Sequence, residues 1–204
     1  MDAVLPSSEQ GPGDPRILRS EAAISSALLA LLGEGLSFDA LTVSAVAEHA
    51  GVTRKTFYAR FGSLERVVHR IVADLLGALV ADLDDDLLRL PRTDPAVTTL
   101  VFAVWDAHRE VLAPLLTQCP AGLFLAPVSE VADRFLDRVL AVNAAPALEG
   151  ARRDYLIAVV ASVMHGMLSV WVRRDFSEPP EAVAALMDRL LGDGVERFLL
   201  AGAS

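Results

Sequence analysis

The 204-residue sequence predicts an all-α protein, and three observations carry that expectation. Apolar residues recur three and four apart along nearly the whole chain, the spacing that lays a stripe on one face of a helix. No run alternates apolar and polar residues as a half-buried strand would. The gaps between periodic stretches hold helix-stopping and helix-starting residues: Gly, Pro, Ser, Thr and Asp. Hydrophobic residues make up 53% of the chain, ample for a packed core. This length admits one domain or two small ones.

Residues 1–13 are rich in Ser, Pro and Gly, with neither a basic n-region nor an apolar h-region. They read as a disordered tail, not as a signal peptide. Asp14 followed by Pro15 opens the first helix, aspartate as cap and proline where its missing amide costs nothing. Ile17, Ile24, Leu28, Leu31 and Leu32 form its stripe, and Gly33 and Gly35 stop it. Arg16 and Arg19 stand at its start, either against a DNA backbone or simply solvated. Phe38 and Leu41 in the connector should pack under the next two helices.

Those two helices occupy 42–61, TVSAVAEHAGVTRKTFYARF. Thr42 is a good cap for the first, where Val43, Val46, Ala47 and Ala50 make the apolar side. Gly51 sits where a helix ends in a left-handed residue without side-chain cost. Thr53 caps the second helix, and Phe57 and Phe61, four apart, must face inward with Val52. Arg54, Lys55, Thr56 and Tyr58 are thereby left outward or on the flanks, with Arg60 toward the edge. Cations, hydroxyls and a phenol on a short helix suit a nucleic-acid groove. Between positions 52 and 70 there are five Arg or Lys (Arg54, Lys55, Arg60, Arg66, Arg70) against one acid, Glu65, while the whole chain carries a formal charge of -9. Such a local positive patch on an acidic protein marks a polyanion partner. Lys55 is the only lysine in the chain.

Ser63 should cap a long fourth helix, with Glu65 in its first turn, where the helix dipole favours an acid. Val67, Val68, Ile71, Leu75, Leu79 and Leu83 carry its stripe to about Asp84, and the acids Asp84, Asp85 and Asp86 read as its solvated end. Leu90, Pro91, Arg92 and Thr93 are a breaker cluster. Asp94 then Pro95 starts a fifth helix reaching about His108, with Leu100, Val101, Val104 and Trp105 on its stripe. Pro114 marks a break or a helix start, and residues 119–122 end that segment. Phe124, Val128, Val131, Phe135 and Val139 form another amphipathic helix that ends before Asn143. Residues 152–174 are apolar nearly all round, as in a helix buried on several sides. A final helix spans 180–200.

The stretch LTVSAVAEHAGVTRKTFYARFGSLERVV resembles the DNA-binding motif of TetR-type transcriptional regulators. The likeness covers about the first 70 residues, and the run A-G-V-T-x-x-T-F-Y-x-x-F followed by Gly-Ser is highly specific. The resemblance implies a three-helix DNA-binding head over 14–62, with the recognition helix in 52–61. It implies a helical body over 63–204 that dimerises and holds a small-molecule effector. Carried over residue by residue, the DNA-contacting positions are Thr42, Ser44, Arg54, Lys55, Thr56, Tyr58 and Arg60; the cap residue Thr53 joins them. Where the family usually has a phosphate-reaching lysine after the recognition helix, this chain has Leu64.

For the body, Phe102, Trp105, Phe124 and Met164 are expected to line the effector pocket, with His108 and His165 as polar handles; ordinary core is the competing reading of each. Small residues at Ala158, Ser162, Gly166 and Ser169 let another helix approach. With Met187, Leu190 and Leu191 they are expected at a homodimer interface, the last two helices forming by resemblance a four-helix contact with their copies.

Nothing suggests catalysis: no Gly-rich phosphate loop, no nucleophile elbow and no metal-ligand spacing among the four histidines. No cofactor, metal or catalytic residue is expected. No stretch is expected to reach the roughly 18 uncharged apolar residues that a membrane span needs, so no membrane partner is expected. The single cysteine, Cys119, fits a reducing cytoplasm. The expected function is a cytoplasmic regulator, a repressor by family default, that binds a near-palindromic double-stranded DNA operator as a homodimer. A small apolar effector modulates it. The alternative is a protein of the same fold that acts through a protein partner.

Overall fold

Local capping sets the helix boundaries. A computed structural model describes residues 15–90 and 96–200. The expected tail over 1–13, the cap at Asp14 and residues 91–95 lie outside the described residues. Helix α1 (Pro15–Gly33) leads through a 3-10 turn to α2 (Val43–His49), α3 (Arg54–Arg60) and α4 (Leu64–Asp82). The last three begin at Thr42, Thr53 and Ser63. Their hydroxyls accept from the amides of Ala45 at 3.1 Å, Thr56 at 3.1 Å and Arg66 at 3.4 Å. Each hydroxyl satisfies one of the donors that a helix start leaves over. Gly51 (φ 65°) and Gly62 (φ 77°) take left-handed conformations at the ends of α2 and α3, where a Cβ would add strain. After Gly51, the Val52 amide closes on the Ala47 carbonyl at 2.9 Å.

The rest of the chain is helical as well: α5 (Ala96–Ala107), α6 (Arg109–Gln118), α7 (Ala121–Val142), α8 (Gly150–Arg173), α9 (Pro180–Met187) and α10 (Asp193–Leu200). Among the described residues there is no strand. The most extensive packing joins α4 to α7, α5 to α9 and α7 to α8, and α1 also lies against α6. One buried cluster runs without a break from Ile24, Val46 and Phe57 through Val67 and Val72 to Phe102, Phe124 and Trp171. A second, smaller cluster gathers Leu83, Leu88, Leu136, Leu140 and Leu156 at the far end of the body. On α4 the buried side is Val67, Val68, Val72 and Leu76, with Ile71 and Leu75 half-buried beside it.

Four expectations need correction. First, α4 stops at Asp82, and the acids after it, exposed as expected, belong to a separate turn and not to its end. Asp84 caps a separate 3-10 turn (Asp85–Leu88) by accepting from the Asp86 amide at 2.9 Å, and Asp85 pairs with Arg138 of α7 at 2.7 Å. Second, Pro114 lies inside α6 and neither starts nor breaks it. Leu112 and Leu115 on either side are fully buried, and their burial offsets the roughly 3 kcal/mol that an interior proline costs. Third, residues 180–200 are not one regular helix: a π-helical turn (Asp188–Gly192) separates α9 from α10.

The fourth correction concerns α8. Residues 155–172 contain no Asp, Glu, Lys or Arg, so α8 is long and apolar enough to cross a membrane by length and composition. It is also less enclosed than its composition suggests. Leu156, Ala161, Leu168 and Trp171 are buried in the bundle, while Tyr155, Val159 and Val170 are exposed. Arg153 at its start holds it to α7, donating to Asp133 at 2.6 Å and to Asp137 at 2.7 Å.

Arg138 closes the far end of α4. Its Nη1 donates to the Val80 carbonyl at 2.6 Å and its Nη2 to the Leu83 carbonyl, two acceptors that the helix end leaves over. Arg138→Ala strands these part-buried carbonyls and is expected to cost about 1–3 kcal/mol in urea unfolding. Arg138→Lys, with one point charge instead of a planar fork, is expected to recover only part of that. A loss under a few tenths of a kcal/mol for the alanine variant would show that the clamp is not holding the helix end.

Candidate functional site

The α2–α3 unit is held from below. Phe57 is fully buried, Phe61 is nearly so, and their rings lie 6.3 Å apart. The opposite side of α3 is left outward: Arg54, Lys55 and Tyr58 are exposed, Tyr58 by 56%. Thr42 and Ser44 at the start of α2 and Thr53 at the start of α3 are exposed too. Thr56 is half-buried, its hydroxyl 3.0 Å from that of Thr53. Arg60 differs from the rest. It is half-buried, and its Nε donates to the Ser20 hydroxyl of α1 at 3.3 Å, so it ties α3 to α1.

The positive patch is smaller than a count of residues suggests. Arg70 is engaged by Asp74 one turn on at 2.7 Å and stands 4.0 Å from Glu21. Leu64, where the resembled family usually has a phosphate-reaching lysine, is buried in the head core. A core residue is what that position requires here. Arg66, two residues on, is exposed.

The body holds a partly open cavity of about 220 Å³ whose walls come from both buried clusters. Leu76 and Val80 of α4, Val101 of α5, Phe135 of α7 and Val160 of α8 contribute to it. Met187, Leu191, Val195 and Leu199 close it from the C-terminal segment. Those four recur every four residues. On an unbroken α-helix each such step would drift by about 40°. The π turn, with more residues per turn, keeps all four toward the cavity. The polar lining residues among those described are Thr98 and Asp188, the Thr98 hydroxyl donating to Asp188 Oδ1 at 2.8 Å.

Of the six residues expected at a pocket, the structure places only Met164 on this wall. Phe102, Trp105 and Phe124 are solid core instead, with 0%, 0% and 1% of their surface exposed. Trp105 stacks on Phe124 at 5.6 Å and Phe102 meets Trp171 edge-on at 5.7 Å. Large rings fill space, and the space left over falls among smaller aliphatic side chains where helices diverge. His165 is half-buried 5.7 Å from Phe124, and burial lowers its pKa. His108 is exposed ahead of α6, its Nδ1 2.9 Å from the Val104 carbonyl.

On α8, Ala158, Ser162 and Gly166 are exposed and Ser169 is half-buried. They lie among exposed apolar side chains, Tyr155 at 74% above all. A Cβ on Gly166 would meet nothing within 4 Å. From the C-terminal segment, Leu190 is 69% exposed and Leu186 is exposed beside it. Met187 and Leu191 must be withdrawn from the expected interface, because both line the cavity. Met187 ends the buried face of α9 with Val183 and Ala184, and Leu191 follows within the π turn.

Residues 24–71 match the family model described as bacterial regulatory proteins, tetR family. No curated protein matches the chain by sequence. Among solved structures, the fatty acid degradation regulator FadR from Bacillus halodurans is 19% identical over 90% of this chain and 96% of its own, with a TM-score of 0.56. NalD, the secondary repressor of the MexAB-OprM multidrug efflux pump in Pseudomonas aeruginosa, is 16% identical over 87% of this chain and 95% of its own, at 0.54. The dihydroxyacetone kinase operon activator DhaS is 15% identical over 88% of this chain and 98% of its own, at 0.52. At such identities the likeness is one of fold.

Two expectations follow from these placements. Replacing exposed Lys55 or Arg54 by Ala should weaken DNA binding by about 1–3 kcal/mol and leave the melting temperature unchanged. Fluorescence titration at two salt concentrations checks it, and normal affinity in both variants would remove these residues from the DNA face. Trp105→Ala, by contrast, should cost about 3–5 kcal/mol of stability, as a fully buried indole does. A loss below about 1 kcal/mol in thermal unfolding would contradict its place in the core.

Proposed function

We propose that this member of the tetR family of bacterial regulatory proteins is a homodimeric repressor, released from a near-palindromic operator by an effector bound in the body cavity. The carrying observation is the outward set Arg54, Lys55 and Tyr58 on a helix locked from behind by Phe57. Cations meet guanine edges and phosphates, and hydroxyls and the phenol meet phosphates. Thr42, Ser44, Thr53 and Thr56 complete that surface, and Arg60 orients α3 against α1. The head is taken as 14–62 and the effector-binding, dimerising body as 63–204. Two heads in a dimer would enter successive major grooves, roughly 34–36 Å apart. Such a protein works in the cytoplasm, beside its operator.

Helix α4 supplies the route from effector to DNA. Its Leu64 and Val67 belong to the core under the head, while its Leu76 and Val80 face the cavity. A ligand that favours one position of α4 over another changes the spacing of the heads, a two-state coupling. The self-partner surface is the exposed face of α8 with Leu186 and Leu190. A reading in which the same fold works through a protein partner leaves the outward cations without a role.

Gly166→Leu tests the assembly. Within one chain a Cβ at this exposed position of α8 meets nothing within 4 Å, and helix propensity favours leucine over glycine by about 1 kcal/mol. Folding should therefore be unharmed. Between two chains it overpacks the contact, typically by about 1–3 kcal/mol. Sedimentation should show a shift toward monomer with operator affinity falling in step; an unchanged dimer would place the interface elsewhere. Selection of genomic fragments by the purified wild type tests the regulator reading itself. An enriched inverted repeat supports it, and no enrichment favours a protein partner. A reporter driven from the selected sequence should rise when the gene is deleted, and a fall would make the protein an activator.

A further inference from the structure

We propose that the body cavity selects a cationic amphiphile, an apolar chain ending in an ammonium group that donates to Asp188. This rests on the reading of the cavity as the effector site and adds the chemical class of its ligand. The wall is aliphatic and aromatic except at one place, where Thr98 of α5 meets Asp188 at the start of the π turn. Asp188 is the sole ionisable side chain among the described residues that line the cavity. The neighbouring cations in sequence, Arg189 and Arg197, are exposed and do not line it.

The polarity of that one place decides which head group fits. Thr98 is buried and its hydroxyl is directed to Asp188 Oδ1 at 2.8 Å, so its proton is already committed. The polar end of the cavity thus presents carboxylate oxygen and no donor. An anionic head would meet a like charge with nothing to hydrogen-bond it, among walls that are otherwise apolar. A neutral alcohol can donate a single hydrogen bond. An ammonium donates and also supplies the opposite charge, the stronger, charge-assisted kind of contact. The apolar chain would lie along the Leu and Val walls running toward α4 and α7. Asp188 opens the π turn and Leu191 lies within it, and both line the cavity.

The test uses the full-length protein and three ten-carbon ligands that differ only in the head: decylammonium, decanol and decanoate. Each is titrated calorimetrically below its micelle-forming concentration near neutral pH. Decylammonium is expected to bind about tenfold or more tighter than decanol, a difference of about 1.4 kcal/mol, with decanoate weakest. Asp188→Asn should bring decylammonium to the level of decanol and leave decanol nearly unaffected. Thr98→Val, which keeps the carboxylate, should retain the ammonium preference and serves if the asparagine variant does not fold. Decanoate binding as tightly as decylammonium, or a preference that survives Asp188→Asn, would overturn the proposal. So would loss of the preference in a folded Thr98→Val protein. Decanol binding without any ammonium preference removes the head-group assignment alone. Failure of all three ligands to bind the wild type removes the effector reading of the cavity as well.

Discussion

The constraint on which the rest of this structure depends is that one helix, α4, must bury its apolar side twice. Its first turns complete the core beneath α2 and α3, and its later turns pack along α7. Neither part can choose its position independently, because 19 residues of unbroken helix fix their relative direction. The two ends are secured by different means. Ser63 satisfies an amide at the start, and Arg138 satisfies the carbonyls of Val80 and Leu83 at the finish. The far end is therefore held by a residue of α7, the helix whose Phe135 and Leu136 also line the cavity. Anything that moves α7 relative to α4 acts on this clamp.

Two features of the body leave apolar surface incompletely used. The cavity separates side chains that would otherwise touch, which forfeits dispersion contacts along its walls. The outward face of α8 keeps Tyr155, Val159 and Val170 in contact with solvent. An isolated chain is less stable for both, and a ligand or a second copy that binds only the folded form offsets the deficit by mass action. On the proposed reading, regulatory function and incomplete packing are the same property: the sites where the chain is unfinished are the sites where it is controlled.

What was legible in the sequence follows a physical division. Caps and turns depend on a few neighbouring residues, and Thr42, Gly51, Thr53, Gly62 and Ser63 specify the helix-turn-helix without help from the rest of the chain. The inward Phe57 and outward Lys55 follow from helical periodicity alone. The cavity did not yield to the same reasoning. Its wall depends on offsets between α4, α5, α7 and α8, and residue type misleads, since aromatic rings such as Trp105 fill gaps and do not mark them. The π turn was equally invisible, because one extra residue per turn leaves no composition signal. Resemblance and apolar character place Met187 and Leu191 at the interface but do not say which of neighbouring apolar residues face the cavity. Arg60 and Leu64 show a milder form of the problem: the motif predicts where they stand in the helix, but the partner helix α1 and the head core decide what they touch.

The attachment of the head at two places narrows the kind of motion that can carry a signal. If α4 were the only link, the head would follow that helix alone, and a shift of α4 would be enough to move it. But α1 rests on α6, and the same buried cluster passes through both contacts. Moving the head then requires α4 and α6 to shift together against the body, so small displacements are resisted and only a repacking of the whole contact is accommodated. At 1.5 Å per residue α4 is about 28 Å long, so a tilt of about 3° displaces its far end by about 1.5 Å. On the proposed reading, a shift of that size at each head of a dimer would misalign two recognition helices that reach successive grooves. The effector supplies only the difference between its affinities for the two packings. On the same reading, a cavity walled by α4 on one side and by the C-terminal segment on the other would couple the ligand to α4, since a movement of α4 changes the contacts a ligand there makes.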